Sequence, residues 1–313
     1  MPLDPVVKGF LDQMALVPGP KMFELPAPQG REMFVGMMQM IGPQGVPIGK
    51  VENLNATGPH GDILLRVYTP VAAGADALPV LIYFHGGGFV IGDLETHDGL
   101  CRQFANEGSF RVIAVHYRLA PENKFPAALD DAFAAVQWIE AHATELGVDA
   151  NRIAVGGDSA GGALAAEVTQ LAKAKGGPKI AFQLLMFPVT QIGKETSSLR
   201  EFAVGYFLDK ATLDWFFNHY IPEGTDKTDT RVSPLNGDLK GLPPAYVMLG
   251  GYDPLHDEGL AYAKKLQDAG GKVEIAVYDG MVHCFIYMQA VLPQAVDAVK
   301  AAAKAVRKGL GEK

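Results

Sequence analysis

From about residue 50 to its end, the chain alternates short β-rich segments with longer amphipathic ones. Strand patterns fall over 63–68, 80–84, 111–117, 152–155, 182–187, 245–249 and 273–278. Helical patterns stand between or after them, over 97–106, 126–146, 160–175, 258–269 and 294–308. A chain of this kind has one economical solution, a mostly parallel sheet with helices packed on both faces. Pro126 is placed for a first helical turn and Gly147 for a helix C-cap. No internal repeat interrupts the series.

Two regions do interrupt it. Residues 1–48 hold helical pieces (6–16 and 31–41) joined by Pro/Gly-rich turns, and residues 190–235 hold a polar stretch with a helix near 211–220. The first 40 residues contain Met1, Met14, Met22, Met33, Met37, Met38 and Met40. Methionine fills irregular apolar space and adapts to it. These residues suit either plain helix packing or a mobile cover over an apolar pocket.

Composition removes several classes of function. Lys+Arg number 27 against 35 Asp+Glu, for a net charge of −8, which is the wrong sign for a nucleic-acid footprint. With 48 % apolar and 20 % charged residues the chain is globular rather than disordered. The longest apolar block, 78–84, is far short of a membrane span and stops at His85. The start, Met1-Pro2-Leu3-Asp4-Pro5, lacks the basic and apolar regions of a signal peptide. Cys101 and Cys284 are too few for a disulfide framework and lack zinc-ligand spacing. A reducing cytoplasm is the expected setting, with no stable membrane insertion and no metal.

The chemistry is concentrated in three places. Gly157-Asp158-Ser159-Ala160-Gly161 lies at a strand-to-helix junction, the context of a nucleophile elbow, with Ser159 as the nucleophile. A serine hydroxyl needs an adjacent base. In this hydrolase order the base follows the acid, and His283 comes last of the 8 histidines. It lies just past the last strand pattern, where a loop could carry its ring over Ser159. Among the others, His142 reads as solvated on its helix, His116 as packed in a strand, His256 as surface and His219 as a possible pocket wall. Asp253, at the end of a parallel strand, is the expected acid; its competitor Asp257 reads as a helix N-cap. His85-Gly86-Gly87-Gly88 follows another strand. Its glycines allow close backbone approach, so the amides of Gly86, Gly87 and Ala160 are the expected oxyanion donors. The glycine run fits neither a P-loop nor a dinucleotide fingerprint, so it is not expected to bind phosphate.

These motifs, with Phe89 after the glycines, Tyr117-Arg118-Leu119-Ala120-Pro121-Glu122, Asp253-Pro254-Leu255 and Gly280-Met281-Val282-His283-Cys284-Phe285, stand in one order. In that order the chain resembles the bacterial hormone-sensitive-lipase-like esterases of the α/β-hydrolase superfamily, in the subgroup named for the Gly-Asp-Ser-Ala-Gly pentapeptide. The resemblance spans roughly residues 50–310 and is weakest over 1–48 and 190–235. It implies an eight-stranded, mostly parallel sheet flanked by helices under a helical cap. Residues 1–48 would be the N-terminal part of that cap, 190–235 its insertion, and 49–189 with 236–313 the catalytic domain. It also implies a carboxylesterase acting on short to medium acyl esters, a small-molecule substrate, no cofactor, and often a homodimer. The 117–122 motif would order the loop beside the site. His116 stands where related chains often carry an acidic residue.

Phe89, Phe187, Met38 and Phe207 are the expected substrate-binding residues, with Met33, Met37, Phe202 and Trp215 as further wall candidates. An amidase, arylformamidase or lactonase would use the same triad, and an interfacial lipase the same fold. A non-catalytic small-ligand receptor on this fold would lack the base histidine, which is present here.

Overall fold

The computed structural model describes residues 1–74 and 76–311. Residues 312 and 313, at the end of the expected catalytic domain, lie outside the described residues. The strands are β1 (Lys50–Gly58), β2 (Gly61–Thr69), β3 (Leu78–Phe84), β4 (Arg111–His116), β5 (Val148–Asp158), β6 (Phe182–Met186), β7 (Ala245–Tyr252) and β8 (Val273–Val282). They form one eight-stranded sheet in the order β1-β2-β4-β3-β5-β6-β7-β8. The β1–β2 and β2–β4 pairs are antiparallel, and every later pair is parallel.

The helices are α1 (Pro5–Leu16), α2 (Ala27–Ile41), α3 (Asp98–Gly108), α4 (Ala127–Ala141), α5 (Ala160–Lys175), α6 (Ser197–Glu201), α7 (Lys210–Tyr220), α8 (His256–Asp268) and α9 (Pro293–Gly309). β3 shows why the sheet is covered twice. Val80, Ile82 and Phe84 enter the core that includes α4, α5 and α8, while Leu81 and Tyr83 enter the core that includes α3 and α9. A strand buried on both faces needs no polar residue in its alternation, and β3 has none. Each large apolar side chain buried this way contributes about 1.5–3 kcal/mol. In α9, Ala295, Ala298, Val299, Ala302, Ala303 and Val306 are buried at helical spacing, with Lys300, Lys304 and Lys308 exposed on the other side. No helix among the described residues is long and apolar enough to cross a membrane.

Several boundaries differ from the sequence expectation. β1 is absent from it because this edge strand buries only Ala56 and so carries little apolar pattern. α4 stops at Ala141, with Pro126 as its N-cap and His142 as its C-cap. There the His142 ring stacks on Trp138 and the chain turns, Val148 N donating to Ala143 O, so Gly147 belongs to the turn and not to the helix end. Asp257 is not an N-cap. The cap position is Leu255, and the Asp257 carboxylate instead accepts from Ser198 N at 2.9 Å. His116 is exposed rather than packed, because it sits at the uncovered tip of β4. β7 and β8 run on to Tyr252 and Val282, and that extension matters for the site.

Candidate active site

Ser159 is the hinge between β5 and α5. Its backbone lies at φ 53°, ψ −115°, a strained region for a non-glycine residue. The turn is tight enough that a Cβ on Gly157 or on Gly161 would strike Phe84 O. Ser159 N donates to Met186 O at 2.9 Å, which ties the turn to β6. Among the described residues six non-glycine residues have positive φ, and five of them (Phe89, Ser159, Phe187, Phe207 and Cys284) lie in segments of the site.

The acid and base are placed by sheet register. β7 and β8 pair as far as Tyr252 opposite Val282, after a bulge near Gly250. The next residue on each strand is therefore Asp253 and His283, side by side at the C-terminal edge. His283 Nδ1 meets Asp253 Oδ2 at 2.8 Å, with both side chains buried. The other carboxylate oxygen of Asp253 accepts from Leu255 N at 2.8 Å, so it is held at both ends. No loop swing is needed to bring the imidazole to the rim. Burial works against a charged imidazole, but the Asp253 carboxylate, with the Cys284 thiol, outweighs it and raises His283 well above its usual range. Phe187 stands edge-on to the His283 ring, 4.8 Å between centroids.

Ser159 and His283 both line an apolar cavity of about 600 Å³, together with Gly87 and Gly88. Its far walls are α1, α2 and the segment running into α7, where Met14, Met22, Met33, Met37 and Met40 meet Phe207, Leu213 and Phe216. Five of the early methionines thus line the cavity that Ser159 also lines. Not every expected wall residue does. Met38 is turned into the core and toward a second, polar cavity of about 430 Å³ beside Arg102. Its side chain leaves α2 about 100° around the helix from Met37, enough to take it out of the apolar cavity lining. Phe89 is buried beneath the glycine loop, stacked on Tyr220 at 3.9 Å. Phe202 packs on Tyr206 and Tyr252, and Trp215 packs on Phe216 and His219.

The glycine loop also departs from expectation. The Gly86 amide is already used, donating to Asp158 Oδ1 at 3.0 Å. Among the described residues, no hydrogen bond uses the amides of Gly87, Gly88 or Ala160. Gly87 is at φ 114° and a Cβ there would strike Ile91 O, so only glycine fits. The unpartnered loop amides beside the cavity are therefore those of Gly87 and Gly88, one step further along the loop than the sequence suggested, and the Ala160 amide, in the first turn of α5, has no partner either.

Other contacts around the site come from residues far apart in the chain. Asp158 accepts from Tyr83 OH at 2.6 Å and Tyr287 OH at 3.1 Å, with His97 Nε2 at 3.5 Å. Burial opposes its charge, yet His97 and the Tyr83 hydroxyl prevail and hold it below the usual carboxylate range. Tyr117 OH donates to His85 O at 2.7 Å behind the loop, and burial, with His97 nearby, lowers His85 to about 3. Arg31 of α2 donates to Val90 O, Ala120 O and both oxygens of Glu122. No group of three or more His, Cys, Asp or Glu side chains among the described residues is arranged to hold a metal ion.

Comparison with known proteins agrees with the fold. The family model described as alpha/beta hydrolase fold matches residues 81–287. A carboxylic ester hydrolase of Mycobacterium tuberculosis, LipN, is 44 % identical over 243 residues, 75 % of this chain and 64 % of that longer protein. The carboxylesterase NlhH of the same species is 38 % identical over 98 % of this chain and 96 % of its own. The crystal structure of LAE6, an alpha/beta hydrolase enzyme from the metagenome of Lake Arreo, superposes with a TM-score of 0.96. It is 44 % identical, and the match covers 99 % of both chains.

Proposed function

The chain belongs to the α/β-hydrolase fold family, and on that footing we propose that it is a serine carboxylesterase of the hormone-sensitive-lipase-like type. Its substrates are small esters of short to medium carboxylic acids. One observation carries the reading: the elbow serine and His283, which is paired with the buried Asp253, line one apolar cavity with Gly87 and Gly88, and the amides of Gly87, Gly88 and Ala160 have no hydrogen-bond partner among the described residues. His283 takes the proton of Ser159 as its oxygen attacks the ester carbonyl. The amides of Gly87, Gly88 and Ala160 meet the oxyanion, each worth about 3–4 kcal/mol in the transition state. His283 then protonates the leaving alcohol. Water, activated by the same ring, frees the acid from the acyl-enzyme.

In this reading residues 1–48 and 190–235 form the cap, and 49–189 with 236–313 the catalytic domain. Phe187 braces the base, while Phe207 with Met33 and Met37 contacts the acyl group. We also propose a reducing cytoplasmic setting, which the free thiols of Cys101 and Cys284 support and fractionation of cells would check. A homodimer through the open edge of β8 is the proposed assembly, with nucleic acid no partner.

The test is hydrolysis of p-nitrophenyl esters with acyl chains from two to sixteen carbons. Activity is expected to peak at short to medium lengths, because pockets of this size enclose most of a ligand of modest dimensions. Ser159→Ala is expected to stay folded and lose on the order of 10⁴–10⁶ in kcat. A Ser159→Ala protein within tenfold of the parent on the butyrate ester would overturn the assignment.

A further inference from the structure

We propose that Asp158 is the positioning residue of the oxyanion loop: by occupying the amide of Gly86, its carboxylate fixes which two amides are left for the substrate oxygen. The inference rests on the esterase reading above and extends it to a residue that touches no reacting atom. Asp158 is the last residue of β5, immediately before the nucleophile, and 1 % exposed. Its side chain reaches the glycine loop at the edge of the cavity that Ser159 also lines. There Oδ1 takes the Gly86 amide and Tyr83 OH, and Oδ2 takes Tyr287 OH. A Cβ on Gly86 would also collide with that carboxylate, so the loop is held close by contact as well as by hydrogen bond.

Three pieces of the site meet at this one group. The elbow contributes Asp158 itself, the oxyanion loop contributes Gly86, and the turn after the base contributes Tyr287, four residues beyond His283. Their relative placement sets where the oxyanion, the nucleophile and the base stand to one another. An amide that has a fixed partner in the ground state cannot be recruited without breaking that bond, so Gly86 is withheld and its two neighbours are presented. A preorganised donor is effective because it does not have to reorganise as charge develops.

The contacts also define a conservative substitute. An asparagine at 158 keeps one oxygen to accept from Gly86 and Tyr83, and its NH₂ can donate to a Tyr287 hydroxyl that rotates. Alanine keeps none of these. On p-nitrophenyl butyrate, Asp158→Asn is expected to hold kcat within about tenfold of the parent. Asp158→Ala is expected to lose about 10²–10³ in kcat, the cost of one oxyanion donor, with KM within about threefold. Equal losses in the two variants, or parental kcat in Asp158→Ala, overturn the proposal. Should Asp158→Ala fail to fold, the parent protein decides the matter through a crystal structure with a phosphonate bound to Ser159. The phosphoryl oxygen is expected to meet the amides of Gly87 and Gly88 while Gly86 stays on Asp158; a Gly86 amide turned to the phosphoryl oxygen overturns it. Ser159→Ala run alongside separates the two claims: if it retains activity, the esterase site itself is misassigned, whereas its inactivity beside a fully active Asp158→Ala removes only the role of Asp158.

Discussion

The imidazole of His283 is buried, carries a carboxylate on Nδ1 and must be neutral on Nε2 to accept a proton from Ser159. Burial alone would lower its pKa, but the Asp253 carboxylate, with the neighbouring thiol, raises it above the ordinary 6.5. The sign follows directly. Below the raised pKa the ring is protonated and cannot act as base, so kcat/KM for the esters should climb with pH through a midpoint above 6.5. Asp253→Asn removes the charge that favours the imidazolium. Its residual activity, lower by about 10⁴ if the acid fixes the tautomer, should show a midpoint moved to lower pH. A pH profile measured on both proteins checks this, and an unmoved midpoint would count against Asp253 as the group that sets the base.

At the scale of elements, what could be read beforehand was what depends on neighbours in the chain. The elbow of Ser159 is a five-residue pattern between a strand and a helix, and it stands where that pattern put it. Asp253 and His283 were recognisable as polar residues near the ends of strands, but not that continued β7–β8 pairing sets them side by side. The use of the Gly86 amide by Asp158 was illegible because it joins residues 72 positions apart, through the parallel pairing of β3 and β5. Met38 was misplaced for a related reason: a methionine-rich helix shows an apolar stripe without showing which side meets the cavity. Arg31 was invisible because its partners come from the loops after β3 and β4. It clips α2 to Val90 O at 2.9 Å, Ala120 O at 2.9 Å and Glu122 at 2.6 Å. Since its side chain is 29 % exposed, Arg31→Ala is expected to cost about 1–3 kcal/mol rather than the full worth of a buried pair. Because α2 also carries Met33 and Met37, KM should rise more than kcat falls. Arg31→Lys should recover little, as an ammonium cannot reproduce the fork. Thermal melting with Michaelis parameters on the butyrate ester checks both, and an unchanged KM in Arg31→Ala would separate the clip from the cavity.

The whole molecule leaves one structural question at its margin. A sheet of eight strands has two edges, and the two are treated differently here. At one, β1 presents Lys50 and Glu52, a charged strand of the kind that discourages pairing. At the other, β8 is ten residues long, and the N-terminal segment covers only its end, with Asp4 N donating to Gly280 O at 3.0 Å. Over 273–279 no strand among the described residues lies beside the outer backbone groups of β8, and Val277 is 41 % exposed. An open edge with an apolar side chain at its middle suits a two-fold copy of itself, in which each β8 lies antiparallel to the other and the sheets continue across the axis. Light scattering should then give the mass of two chains for the parent. Val277→Lys, placing a charge opposite its own copy near the centre of that ladder, should shift the protein to the mass of one chain. Because Val277 is remote from Ser159, ester hydrolysis per chain should survive the change. A parent that weighs as a single chain at micromolar concentration would remove the β8 dimer while leaving the active site as described.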